Sequence, residues 1–298
     1  MPPRSQGIIE VHSAVLLFGL AGLFGKFLPV PPHVIVFGRA FFASVALILF
    51  LRWFKARVFF GAKRDLPIFA ALGSILAIHW ITFFHSIQVS NVAVGLLTYS
   101  TFPVFVTFME PYFFREKLRT FDVFAALLVL VGLFLVIPDF EFSNRITRGA
   151  LWGMVSGFTF AVMSLVNRRV VQRYSSLVIA LYQNAFAAGA LLPFLWMSDW
   201  TLGARQILFL AFLGFFCTAL AHALFIRSLL FITAQLASIT SVLEPVYGII
   251  LAFLLLGEVP RVRTLLGGGI ILGVVALSTG KRKSPRNSQG EKGCIICF

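Results

Sequence analysis

A chain of 298 residues that is 59% hydrophobic and 12% charged, with a mean hydropathy of +0.94, carries about half the charge of an ordinary soluble domain. That composition excludes a soluble globular protein and describes an integral membrane protein. The net charge of +14 does not mark a nucleic-acid surface, because the basic residues sit in short loops between apolar runs, where membrane topology places them.

Ten apolar segments follow in chain order, at about 11–28, 33–51, 66–86, 91–112, 120–138, 148–166, 177–197, 206–228, 233–256 and 262–280. Each is long enough for a helix rising ~1.5 Å per residue to cross a hydrocarbon core of ~30 Å. The first lacks a basic n-region and an A-x-A cleavage site, so it reads as a retained helix rather than a signal peptide. Loop charge sets the orientation. Seventeen basic residues lie on the side of both termini, and five (Arg145, Arg148, Arg205, Arg261 and Arg263) lie on the other. The positive-inside rule therefore puts both termini in the cytoplasm of a cell inner (plasma) membrane. The basic tail agrees with an even number of spans.

Three cysteines, Cys217 in an apolar run and Cys294 and Cys297 in the tail, make no disulfide framework. The tail pair has C-x-x-C spacing without a second pair, which is not a zinc site. There is no H-E-x-x-H and no glycine-rich phosphate loop, so neither metal nor cofactor is expected.

Shifting the chain by 142 residues superposes its halves: Phe83 falls on Phe225, Ser86 on Ser228, Thr98 on Thr240, Pro103 on Pro245, Val104 on Val246 and Glu116 on Glu258. Span edges coincide as well. Five spans per half is an odd number, so the second half enters the membrane inverted, as in many secondary transporters. The expected fold is all-α: ten transmembrane helices in two inverted five-helix repeats, residues 1–143 and 144–280, followed by a basic tail at 281–298.

Two segments, "STFPVFVTFMEPYFFREKL" and "SVLEPVYGIILAFLLLGEVP", carry a specific likeness. With the ten-span repeat they resemble the drug/metabolite transporter superfamily, EamA type. The second half shows the "EP" and "LLLGE" of that pattern. The first departs from it, with Phe102 before Pro103 and Arg115 before Glu116. The resemblance covers nearly the whole chain and implies a carrier of small organic metabolites, leaving the solute open.

Glu244 lies in mid-span, where an ionised carboxylate is costly. It shares a helix face with Ser241, Pro245 and Gly248, and Pro245 frees a carbonyl near Ser241. Two readings stand: a cavity carboxylate that binds a solute amine or takes up a proton, or a structural partner for Arg39 or Arg227. Arg39 itself is placed either to snorkel, to pair or to bind an anion. Lys26 ends span one and can snorkel outward. On span three, His79 or Trp80 is expected at the cavity and His85 at the interface. Further candidates are Tyr99, mirroring the Glu244 face, Tyr247 beside it, and His222 on span eight. Gln183 and Asn184 lie deep in span seven, with Gln183 near the position of Arg39 when the halves are compared. On span six, Trp152, Ser156, Thr159, Met163 and Asn167 form a polar-aromatic stripe. Beside it Gly149, Gly153 and Gly157 make a packing face, a role also expected of Gly269 and Gly273 on span ten.

Opposite charges on the two halves with aromatic walls suit a zwitterionic, amino-acid-like small-molecule substrate, S-adenosylmethionine being one such compound. The expected partners are that solute and the lipid bilayer, with no nucleic acid and a homodimer as an open assembly. The rivals are an exporter of another metabolite class, such as a sugar phosphate or a drug, and an intramembrane enzyme such as a serine protease. Ser156 and His222 supply its residue types, but Gly153-Met154-Val155-Ser156-Gly157 lacks the G-x-S-x-G spacing.

Overall fold

Prolines and small polar residues set the helix boundaries. The computed structural model of the chain describes residues 3–53, 65–114, 120–136, 143–197, 199–241 and 243–280. They form α1 (Pro3–Phe27), α2 (Pro32–Trp53), α3 (Leu66–Val89), α4 (Val92–Tyr99), α5 (Phe102–Phe114), α6 (Thr120–Val136) and α7 (Arg145–Val170). In the second half come α8 (Ser176–Leu191), α9 (Ala204–Gly214), α10 (Ala221–Ser228), α11 (Ala234–Thr240), α12 (Leu243–Leu256) and α13 (Val262–Gly280). Asn91, Asn144 and Ser175 cap α4, α7 and α8 by accepting from the N–H groups of Val94, Ile146 and Val178. These caps satisfy donors that the first helical turn leaves free.

Ten spans result. Seven are single long apolar stretches, among them Val92–Phe114 and Ala204–Ser228. α6, α11 with α12, and α13 supply the other three. The first helix starts at Pro3, well before the expected residue 11; Gln6 Nε2 donates to Glu10 Oε1 one turn on, which meets part of the polarity of these early turns within the helix.

Spans four and nine break at matching places, just before Pro103 and Pro245. A proline lacks the N–H that would bond the carbonyl four residues back and disfavours helix at the residue before it. The Ser241 carbonyl, expected to be freed, accepts from the Glu244 N–H at 2.9 Å instead. The Tyr99 carbonyl faces Gly157 of α7, where a Cβ would lie 2.7 Å away.

The packing repeats about a two-fold axis. α3 packs on α7 as α10 packs on α1, α5 on α7 as α12 on α1, and α3 on α8 as α9 on α2. The pairs α2 with α8 and α6 with α13 join like elements of the two halves, and the packing of α4 on α12 is matched by that of α11 on α5. Two close contacts give the symmetry in ångströms. A Cβ on Gly73 would lie 2.4 Å from the Phe186 Cβ and 2.9 Å from the Gln183 carbonyl. One on Gly214 would lie 2.4 Å from the Phe42 Cβ and 2.9 Å from the Arg39 carbonyl. Arg39 and Gln183 are therefore structural counterparts.

The glycine face of α7 packs as expected, Gly149 on Ser90 and Gly153 on Thr98. Span ten differs from expectation. A methyl added to Gly269 or Gly273 would meet nothing within 4 Å among the described residues, whereas one on Gly267 would lie 2.5 Å from the Gly132 carbonyl of α6. The helix turns the Gly267 edge inward because α6 meets it there, glycine against glycine.

Candidate functional site

A chamber lies between the halves, and six of the expected residues line it: Arg39, His79, Trp80, Tyr99, His222 and Glu244. They come from α2, α3, α4, α10 and α12. Among the other lining residues are Phe18 of α1 and Phe160 and Met163 of α7. The free space between them is about 30 Å³ for the centres of water molecules. It admits a water or two and no metabolite. Carrying a solute therefore requires the helices to part.

Arg39 does not snorkel. It is 2% exposed, with its guanidinium carbon 3.9 Å from the Trp80 ring centroid. Its Nε donates to Thr218 Oγ1 at 2.9 Å and its Nη2 to the Cys217 carbonyl at 3.3 Å. Both acceptors belong to a π-helical turn at Phe215–Leu220 that joins α9 to α10. Widening the turn by one residue misaligns its carbonyls from the α-helical ladder and leaves Cys217 able to meet the arginine.

Glu244 faces Arg39 from the other half without forming an ion pair, and its Oε2 has no hydrogen-bond partner among the described residues. The alternative partner also fails. Arg227 reaches Glu10 of α1, with Nε 3.4 Å from Oε1, because α10 packs along α1. Glu10 sits in the first turns of span one, where its carboxylate gave no periodic signal. A second ion pair, Arg168 with Glu110, ties α7 to α5 at the same end of the molecule.

His222 is 2% exposed and has neither ring nitrogen partnered among the described residues; its ring lies 6.0 Å from that of Trp80. His79 is held by Ser156. Nδ1 is 3.0 Å from the Ser156 carbonyl and 2.9 Å from its hydroxyl, which also donates to the His79 carbonyl at 3.1 Å. A carbonyl only accepts, so Nδ1 carries the hydrogen. A serine base must accept a proton, and this nitrogen donates one; the Ser156–His79 pair is not a nucleophile and its base. Nor does Ser156 meet His222, the pairing a protease reading required.

Four expected residues lie away from the chamber. Trp152 is 42% exposed and sets its ring edge-on to His85 at 5.3 Å. The Gly149–Gly153–Gly157 face occupies the inward side of α7, so the neighbouring Trp152 edge turns outward. Tyr247 packs on Gly19 of α1, whose methyl would lie 2.9 Å from the tyrosine Cβ. Gln183 donates to Asn167 Oδ1, and Asn184 donates to the Ala180 carbonyl of its own helix.

At the face opposite residues 3 and 280, three side chains clamp the α3–α4 turn. Arg145 Nε donates to the Val89 carbonyl at 3.0 Å, and Lys26 Nζ to the Ser90 carbonyl at 3.2 Å. Glu258 Oε2 accepts from the Val92 N–H at 3.0 Å, a carboxylate set against a helix N-terminus. Gly257 makes this possible. Its φ of 66° belongs to the left-handed region and swings Glu258 off the end of α12.

A ten-span bundle of two repeats around a narrow chamber, lined by aromatic residues with Arg39, His79, His222 and Glu244 among them, has the architecture of a membrane transporter. Residues 5–137 and 147–280 each match the EamA-like transporter family, and the chain belongs to that family. It is 24% identical over 294 residues, covering 97% of this chain and 94% of the relative, to the uncharacterized transporter YxxF of Bacillus subtilis. It is 24% identical to the pseudopaline exporter CntI of Pseudomonas aeruginosa, covering 85% of this chain and 88% of that protein. A crystal structure superposes with a TM-score of 0.69 at 20% identity, over 92% of this chain and 97% of the other; it supports the fold.

Proposed function

We propose that this protein is a secondary carrier of a zwitterionic, amino-acid-like metabolite, working by alternating access in the inner (plasma) membrane with both termini in the cytoplasm. The observation that carries the reading is the pair Arg39 and Glu244. Opposite charges from opposite halves face one chamber, each buried, and neither neutralises the other by contact. Burying charge unpaired is expensive. A solute that brings a carboxylate to Arg39 and an ammonium to Glu244 offsets both costs at once. Trp80 and Tyr99 add faces suited to a cation or a ring. The pseudopaline exporter among the relatives is consistent with an organic metabolite as cargo. Nothing in the chamber singles out a nucleoside or a sulfonium, so S-adenosylmethionine has no particular support.

Opening the chamber to the outside means releasing the clamp on the α3–α4 turn, since Arg145 and Glu258 belong to one half and the turn to the other. Sidedness rests on the basic loops. Competition during uptake into liposomes tests the solute class. Amino acids should block uptake of a radiolabelled amino-acid mixture, and their decarboxylated or N-acetylated forms should not. No protein-dependent uptake of the amino-acid mixture, or uptake blocked equally by the decarboxylated or N-acetylated forms, overturns the reading.

A further inference from the structure

One polar cluster lies just beyond the chamber and is not used by it. Asn167 and Gln183 are both 0% exposed and share a single hydrogen bond, from Gln183 Nε2 to Asn167 Oδ1. Gln183 Oε1 and Asn167 Nδ2 have no partner among the described residues. Turning both amides over exchanges which atoms are bonded, and one amide N and one oxygen still remain. Buried polar groups are rarely left so, and an orphaned pair asks for an explanation.

Its place in the fold supplies one. Asn167 lies one turn, ~5.4 Å, along α7 from Met163 in the chamber wall. The Gln183 backbone packs on Gly73, one turn of α3 from Leu76, which also lines the chamber. Gln183 is also the two-fold counterpart of Arg39 by the matched glycine contacts. The same position in the two halves thus carries a charged donor in one and a neutral donor–acceptor in the other.

We propose that the Asn167–Gln183 pair is a specificity subsite that binds a carboxamide-type group, with one N–H and one C=O side by side, on the remote end of the carried solute. The inference rests on the amphoteric-solute reading and refines it. Arg39 and Glu244 hold the amino-acid head, and the side chain reaches past Met163 to the amides. A carboxamide satisfies both orphaned atoms, whereas an apolar side chain of equal length leaves them buried and unpaired, which a binding site penalises heavily.

The test uses radiolabelled L-glutamine and L-methionine, which match in length, with the full-length protein in liposomes. Wild type should take up glutamine with a KM about tenfold lower than methionine. In the double variant Asn167→Leu/Gln183→Leu the ratio should fall to within about twofold, with methionine uptake retained. Replacing both partners by apolar groups of similar shape leaves a purely structural pair near neutral, so thermal stability in detergent should change little. Methionine carried as well as glutamine by wild type, or a preference that survives the double variant, overturns the subsite while leaving the carrier intact. Uptake of neither amino acid overturns the subsite, and the carrier reading falls with it only if the amino-acid mixture is not taken up either.

Discussion

Replacing Arg39 separates the cost of burying a charge from its use. The guanidinium makes two charge-assisted hydrogen bonds, to Thr218 and the Cys217 carbonyl, worth about 1.5–3 kcal/mol each. Its stacking 3.9 Å from the Trp80 centroid adds about 2 kcal/mol. Against this gain of roughly 5–8 kcal/mol stands a desolvation penalty of several kcal/mol for a buried ion. The two nearly cancel. Arg39→Met, which keeps the length and removes the charge, should therefore shift unfolding by less than about 2 kcal/mol. Arg39→Lys keeps a charge but loses the planar fork that reaches both acceptors of the π-turn, and it should melt below Arg39→Met. Solute affinity should fall in both. Losing one partner of a buried charged contact costs about 3 kcal/mol, or roughly a hundredfold. Thermal unfolding in detergent and uptake into liposomes read the two effects. Near-normal uptake by Arg39→Met, or a methionine variant far less stable than the lysine one, refutes the reasoning.

Other outcomes follow from the same geometry. Gly257→Ala and Gly269→Ala both place a methyl in open space, but only Gly257 has a left-handed φ of 66°. The first should cost about 1–2 kcal/mol and the second nothing or a slight gain, as thermal melts would show; equal effects would contradict the backbone argument. Gly73→Ala and Gly214→Ala meet phenylalanine Cβ atoms at the same 2.4 Å, so each should destabilise by about 1–3 kcal/mol. A wide disparity would break the two-fold relation. Single cysteines replacing Asn144 and Lys55, in a background without native thiols, test sidedness. An impermeant maleimide applied outside should label position 144 and spare 55, and the reverse pattern would invert the topology. Lys55 lies outside the described residues.

Much of the architecture is legible in the sequence because the bilayer imposes its own ruler. Span lengths, loop charge and the 142-residue repeat reflect constraints that act on whole segments, and the broken spans follow from Pro103 and Pro245. At the chamber, Glu244, Arg39 and His222 stand out since polarity in mid-span is costly and needs a reason. What escaped is set by rotation and by irregular backbone. Trp152 and Ser156 share a stripe by spacing, yet the turn of α7 on Gly153 sends one outward and keeps the other in. Glycine spacing alone likewise could not choose between Gly267 and Gly269. The π-turn at Phe215–Leu220 has no residue signature, so the acceptors of Arg39 were invisible. The partner of Arg227 escaped for another reason: Glu10 and Arg227 are far apart in sequence, and only the packing of α10 on α1 joins them.

The central claim is that one chamber carboxylate, matched against Arg39 across the two halves, holds the amine of a carried amphoteric solute. Glu244→Gln tests it most directly, because the amide keeps the volume and removes the charge. Uptake of a radiolabelled amino-acid mixture into liposomes should be lost or reduced more than tenfold, with the protein still expressed and its melting profile in detergent close to wild type. Undiminished uptake by a folded Glu244→Gln would contradict the account, and so would a variant that loses transport only because it no longer folds.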